Sequence, residues 1–112
     1  MQFARAPALL ALALFLGCPS QQARAEGRIA EIGIEQYKFI PAEITIKVGD
    51  SVRWTNREKR TSHSIFFSTE GLPESERLMP EETWERKFSR PGVYPYTCGP
   101  HPEMKGAIRV NE

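Results

Sequence analysis

From residue 28 onward the chain alternates between apolar and polar positions, and no stretch repeats apolar residues at the spacing of an amphipathic helix. Residues 28–34 open with Ile29 and Ala30 and settle onto Ile32 and Ile34. Ile44, Ile46 and Val48 share one face, and Glu43, Thr45 and Lys47 share the other. Gly49-Asp50 marks a turn, after which Val52, Trp54 and Asn56 lie opposite Ser51, Arg53 and Thr55. Residues 63–67 are rich in aromatic and β-branched side chains and read as a further strand. Residues 83–88 alternate, Pro91-Gly92 turns the chain, and 93–97 and 107–110 complete the set. Around Pro95, Tyr94, Tyr96 and Cys98 fall on one face and Val93, Pro95 and Thr97 on the other. Proline cannot donate to a ladder, so this strand is expected to lack a partner on one side. About seven short strands separated by turn chemistry predict an all-β sandwich or barrel. The connection 68–82 holds five glutamates with Gly71, Pro73 and Pro80, and reads as a solvated crossover.

The first residues follow a different pattern. Met1 to Arg5 carries one positive charge and no acid, an apolar run covers 6–17, and Ala23-x-Ala25 follows. These are the three parts of a secretory signal, and the apolar run is too short for a permanent membrane span. Cleavage is expected after Ala25, leaving one domain over 26–112, exported to the periplasm. Phe15-Leu16-Gly17-Cys18 looks a little like a lipoprotein signal, but Phe and Leu fit its first positions poorly, so anchoring at Cys18 is the less favoured alternative. Removing Arg5 and Arg24 from the fifteen basic residues leaves thirteen against fourteen acidic ones. That balance lacks the basic excess that nucleic acid requires. It also leaves Cys98 as the one cysteine of 26–112, unable to form an internal disulfide. A lone thiol in an oxidising compartment points to a reactive thiol, an intermolecular bridge or a metal thiolate.

The segment around that thiol is Tyr96-Thr97-Cys98-Gly99-Pro100-His101-Pro102-Glu103-Met104. Cys, His and Met recur at three-residue intervals, and prolines flank the histidine. Such a run forms neither a helix nor a regular strand, so it is a tight loop that can turn three side chains toward one point. Thiolate, imidazole and thioether are a soft set, suited to copper and poor for magnesium or calcium. Structural zinc sites prefer four Cys and His donors. The other histidine of the chain, His63, follows the loop 56–62. Two imidazoles, one thiolate and a weak thioether make the donor set of blue-copper electron-transfer sites. A lone Met, His or Cys each has an ordinary structural explanation. Both histidines and the cysteine falling into one pattern favours the metal.

Residues 39–56, with Ile44-Thr45-Ile46-Lys47-Val48-Gly49-Asp50 at their centre, resemble the opening of the plastocyanin-like cupredoxins. Residues 92–98 and the closing 106–110 do so too. Met104 standing three residues after His101 is similar to the amicyanin branch of these plastocyanin/azurin-like type I blue copper proteins. The resemblance implies a Greek-key β-sandwich, the cupredoxin fold, binding one copper ion that cycles between Cu(I) and Cu(II). It implies His63, Cys98 and His101 as equatorial ligands, Met104 as the axial one, and Asn56 pinning the loop that carries His63. Two positions depart from the pattern. Ser62 and Ser64 stand where many relatives have Pro and Asn, which puts in question how that loop is locked. Pro100 has no N–H to offer the Cys98 sulfur, so the Ser64 N–H is the expected donor.

The implied role is a monomeric one-electron carrier, not an enzyme, with a redox protein as donor and another as acceptor, for example a periplasmic dehydrogenase or a c-type cytochrome. The exposed edge of His101 would be the electron port. The nearby run Arg57-Glu58-Lys59-Arg60 could steer an acidic partner. A periplasmic copper-binding or delivery protein is the alternative. Such proteins are often methionine-rich, and 26–112 holds only Met79 and Met104. A copper enzyme would need spare histidines, and a thiol redox protein a Cys-x-x-Cys pair; neither is present.

Overall fold

The alternating segments pair into two sheets in a computed structural model that describes residues 27–112. The expected leader 1–25, with Cys18, lies outside the described residues. The strands are β1 (Ile29–Glu35), β2 (Lys38–Ile40), β3 (Glu43–Lys47), β4 (Ser51–Asn56), β5 (Thr83–Lys87), β6 (Gly92–Thr97) and β7 (Lys105–Asn111). One sheet has the order β2-β1-β4-β5 and the other β3-β7-β6. The pairs β1–β4 and β3–β7 are parallel, and the remaining neighbours are antiparallel. The expected all-β sandwich is therefore present, and β6 is an edge strand, as Pro95 requires.

The alternation decides which side chains meet between the sheets. Ile32 and Ile34 of β1, Val52 and Trp54 of β4, and Ile108 and Val110 of β7 are all buried, together with Ile46, Phe39, Phe67 and Phe88. Their polar neighbours in the same strands point outward, as period two demands. The β3–β4 turn works as its sequence suggests. Gly49 takes φ +98, and Asp50 accepts hydrogen bonds from the Arg28 and Lys47 N–H groups through its two carboxylate oxygens.

Two elements differ from the sequence reading. Residues 63–67 are not a strand; they make only isolated bridges, His63 with Leu78 and Phe66 with Thr97. The reason lies in where their N–H groups go. Ser64 N–H points at the Cys98 sulfur and Ile65 N–H at the Ser75 hydroxyl, so no continuous ladder can form. The seventh strand is instead β2, joined to β1 by Gln36 and Tyr37, a turn without the Asn-Gly signature that would announce it. The 68–82 connection is also more than a solvated crossover. Leu78 is buried, Ser75 and Ile65 exchange hydrogen bonds, and Glu74 reaches Ser64.

Tyr96 is the aromatic hub of this core, with ring centroids 4.7 Å from Phe39, 5.3 Å from Trp54 and 5.2 Å from Phe67. Burial pushes its pKa up, with the Trp54 indole N–H opposing the rise, yet neither that N–H nor the Tyr96 hydroxyl has a hydrogen-bond partner of good geometry among the described residues. Gly106 lies against the far end of the same ring; a Cβ there would run into the Tyr96 Cζ and hydroxyl. The ring cannot retreat through its three aromatic neighbours. Gly106→Ala is expected to destabilise the protein by about 1–3 kcal/mol, the usual cost of overpacking. Urea denaturation of the metal-free protein measures it, and an unchanged midpoint would show that the Tyr96 ring is free to move.

Candidate metal centre

Cys98 ends β6, and the residues after it turn twice in succession. His101 N–H donates to the Cys98 carbonyl at 3.2 Å and Met104 N–H to the His101 carbonyl at 2.9 Å. Two consecutive turns bring residues three apart to one side, which is why the Cys, His and Met are spaced as they are. Cys98 N–H closes the loop on the Met104 carbonyl at 3.2 Å. His63 arrives from the other sheet, in the irregular segment beyond β4, and its backbone is bridged in both directions to Leu78.

The three polar side chains converge. The Cys98 sulfur lies 3.6 Å from Nδ1 of His63 and 3.6 Å from Nδ1 of His101. The three ligand atoms all stand within 4.8 Å of one another. Cys98 and His63 are fully buried, Met104 is 3% exposed, and His101 is half-buried. Ser64 N–H points at the sulfur at 3.4 Å, and is the backbone donor to it among the described residues. The donor expected from the sequence is thus in place.

Two carboxylates anchor this cluster. Glu58 Oε2 lies 3.0 Å from Nε2 of His63. A carboxylate can only accept, so Nε2 carries the proton and Nδ1 of the neutral ring turns a free lone pair toward Cys98. The same carboxylate accepts the Tyr37 N–H at 2.9 Å and the Gln36 N–H. Burial pushes the Glu58 pKa up, but these hydrogen bonds, from Tyr37, His63 and Gln36, outweigh it and hold the group below the ordinary carboxylate range. The second carboxylate, Glu74, accepts from the Ser64 hydroxyl at 2.6 Å, and that hydroxyl accepts the Gly99 N–H at 2.9 Å. Ser64, fully buried, therefore ties the His63 segment to the Cys98 loop by side chain as well as backbone. Asn56 fixes the intervening loop: its amide donates to the Thr61 and Leu78 carbonyls and its oxygen accepts Glu58 N–H.

The Gln36-Tyr37 turn is bent against its residue types. Both have positive φ, 51° and 60°, in a two-residue hairpin of the type usually given to Asn-Gly. For side chains of this size each such residue costs about 1–2 kcal/mol. Successive N–H groups in such a turn form a concave anion site, and the Glu58 carboxylate fills it. The result sets the Tyr37 ring over the centre, edge-to-face with His63 at 5.4 Å and with His101 at 4.9 Å.

The donor set fits copper. Ligand bonds of about 2.1 Å meeting in a trigonal plane separate their donor atoms by about 3.6 Å, and that is the sulfur-to-nitrogen distance on both sides. All four residues singled out in the sequence lie at this end of the sandwich, with Met104 closing the loop on Cys98. Glu74 and Tyr37 were not expected here, and Glu58 was expected nearby only as part of a steering surface, not as a partner of His63. Glu58 sits in a charged run, Glu74 in an acidic loop and Tyr37 in an unmarked turn, so no local pattern distinguishes them.

Comparison with known proteins agrees with this geometry. The family model for the cupredoxin-like domain matches residues 8–110. Amicyanin-alpha of Methylorubrum extorquens is 37% identical over 101 residues, covering 88% of this chain and 85% of its own. Amicyanin of Paracoccus denitrificans is 33% identical over 100 residues, covering 82% and 76%. Among solved structures, the Cu(I) form of an amicyanin point mutant superposes with a TM-score of 0.70 at 31% identity, covering 78% of this chain and 85% of that one.

The Ser64 bridge makes a direct prediction. Ser64→Ala strands the Gly99 N–H and is expected to cost about 1–3 kcal/mol. Glu74→Gln keeps an acceptor for the hydroxyl and should cost less than about 1 kcal/mol. Urea unfolding of the metal-free variants measures both; equal losses would place the anchoring in the charge of Glu74 instead of the hydroxyl bridge.

Proposed function

The chain belongs to the cupredoxin-like family, and on that premise we propose that it is an exported blue-copper protein carrying single electrons between redox partners. His63, Cys98, His101 and Met104 would hold one copper. The observation that carries this reading is the buried meeting of one sulfur with two imidazole nitrogens at equal distances. Bound there, copper supplies the one-electron Cu(II)/Cu(I) couple.

The residues around it do the rest. Cys98 contributes the thiolate, and the single backbone N–H of Ser64 draws density from its sulfur. Pro100 offers no second donor, so the sulfur stays electron-rich, which favours the oxidised metal and a lower potential than a two-donor site. Glu58 keeps His63 in the tautomer whose Nδ1 faces the site. The sandwich fixes both donor segments, which limits rearrangement between oxidation states. His101, half-buried and flanked by exposed Pro100 and Pro102, supplies the path to the surface.

Partners dock at the same end. Arg57, Lys59 and Arg60 border a surface hollow of about 440 Å³ beside Glu35 and Gln36. Glu58 also lines it but turns its carboxylate toward His63, so the exposed charges of the run are the three cations. That suits an acidic redox partner, whether the donor or the acceptor, such as a periplasmic dehydrogenase or a c-type cytochrome. The working form is a monomer of 26–112 in the periplasm after removal of 1–25. Both histidines of the chain lie in this one site, leaving none for a catalytic second copper. The alternative of copper delivery has little support, since the ligand atoms of His63 and Cys98 are fully buried.

Reconstituting 26–112 with equimolar Cu(II) is expected to give an intense blue charge-transfer band and narrow hyperfine splitting. Cys98→Ser should be colourless, and Met104→Leu should remain blue with a raised potential. A colourless wild-type adduct would remove the carrier reading, and rapid surrender of the metal to a weak chelator would favour delivery. The N-terminus of the exported protein, expected at Glu26, tests the leader.

A further inference from the structure

The two imidazoles are not held alike. His63 is buried, bridged through its backbone to Leu78, and hydrogen-bonded through Nε2 to Glu58. His101 is half-buried, and among the described residues its ring has no hydrogen-bond partner except the Cys98 sulfur. Its remaining ring contacts are His63, at 5.1 Å, and Tyr37, at 4.9 Å and 87°. Among the described residues, Tyr37 is thus the aromatic ring that meets His101 from outside the ligand set. The tyrosine is itself held at three points: its N–H on Glu58, its hydroxyl on Thr61 at 3.3 Å, and its ring edge-to-face with His63. Although 48% exposed, it is therefore not a loose surface side chain. Its backbone sits at φ +60, a conformation that favours glycine over tyrosine, so the ring is what this position retains.

We propose that Tyr37 is a positioning residue for the metal centre, an outer wall that holds His101 against His63 and Cys98 and shuts small anions out of the site. The inference rests on the copper reading given above. Glu58 couples the wall to the ligand it backs: the carboxylate that fixes the His63 tautomer also fixes the turn that aims the Tyr37 ring. Tyr37 and His63 thereby share one anchor, and His101 is pressed between them and the sulfur.

The test compares wild type with Tyr37→Phe and Tyr37→Gly. Glycine suits the positive φ, so the second variant removes the ring without straining the turn that holds Glu58. In the metal-free proteins, imidazole NMR resonances should show an ordered His101 ring in wild type and Tyr37→Phe. In Tyr37→Gly the His101 resonances should broaden or average, while those of His63 shift with the lost ring current but stay sharp. In the Cu(II) proteins, titration with sodium azide followed by paramagnetic resonance should give an adduct with wide hyperfine splitting in Tyr37→Gly. Its azide affinity should be roughly tenfold or more above that of the other two, the change expected from losing two aromatic contacts. A Tyr37→Gly protein with an ordered His101 ring and wild-type indifference to azide overturns the proposal. Equal loosening of His63 and His101 overturns it too, since that would mean the whole turn had collapsed. If wild type fails to bind copper as a blue site, the copper reading falls, while the metal-free comparison still decides whether Tyr37 restrains His101.

Discussion

The centre depends on one constraint: three lone-pair donors must be kept facing one another in a buried space, with the Cys98 sulfur 3.6 Å from two imidazole nitrogens. Left alone, such groups would turn toward water or toward hydrogen-bond donors. The fold prevents this by giving each its own tether. Cys98 is tethered by β6 and by the double turn that follows it. His63 is tethered by its bridge to Leu78 and by Glu58. His101 is tethered by its turn, and the Tyr37 ring lies edge-to-face against it. The two sheets matter chiefly because they hold these tethers at fixed separation. The core behind them is aromatic and closely packed, with Tyr96 touching Phe39, Trp54 and Phe67 two residues before the sulfur. Movement of the sulfur would have to displace that cluster, and interiors packed at this density resist it.

What the sequence revealed and what it concealed divide along a physical line. Faces of strands follow from period two, so β3, β4 and β6 were legible from Ile44 and Ile46, from Val52 and Trp54, and from Tyr94 and Tyr96. Donor chemistry is carried by residue type, so His63, Cys98, His101 and Met104 stood out without any structure. Pairing is different. Residues 63–67 have strand-like composition, yet their N–H groups go to a sulfur and a hydroxyl, which composition cannot report. The β1–β2 turn uses Gln36 and Tyr37 where turn rules ask for Asn-Gly, because a carboxylate from a separate loop stabilises it. Glu58 and Glu74 look like surface acids until the loops that carry them are folded back onto the site.

Ser64 shows how a departure from a family pattern can be absorbed. Its side chain is shorter than the asparagine that the resemblance led one to expect there, and the sequence alone left the lock in question. In the structure the hydroxyl bridges Gly99 N–H and the Glu74 carboxylate, so the connection between the two donor segments survives with a third party supplying the missing length. The room for that carboxylate exists because residue 99 is glycine: a Cβ there would meet the Glu74 carboxyl group. Ser64, Glu74 and Gly99 are consequently one unit, although they come from three different stretches of chain. A change at any of them alters the fit of the other two, so their substitutions should not combine additively.

The same reasoning extends to the charged surface beside the centre. The run Arg57-Glu58-Lys59-Arg60 carries three positive groups and one negative one. If the acid faced solvent, it would neutralise part of the positive field. It faces inward instead, accepting from His63, Tyr37 and Gln36, and those hydrogen bonds hold its pKa below the ordinary range despite partial burial. An ionised Glu58 suits both contacts, since only the carboxylate accepts from the His63 ring and from the two N–H groups of the turn together. One carboxylate therefore bonds both the His63 ring and the turn that carries Tyr37, while its neighbours Arg57, Lys59 and Arg60 stay exposed. Internal order and external charge meet at this residue, with three charges of the run turned to solvent and one turned to His63.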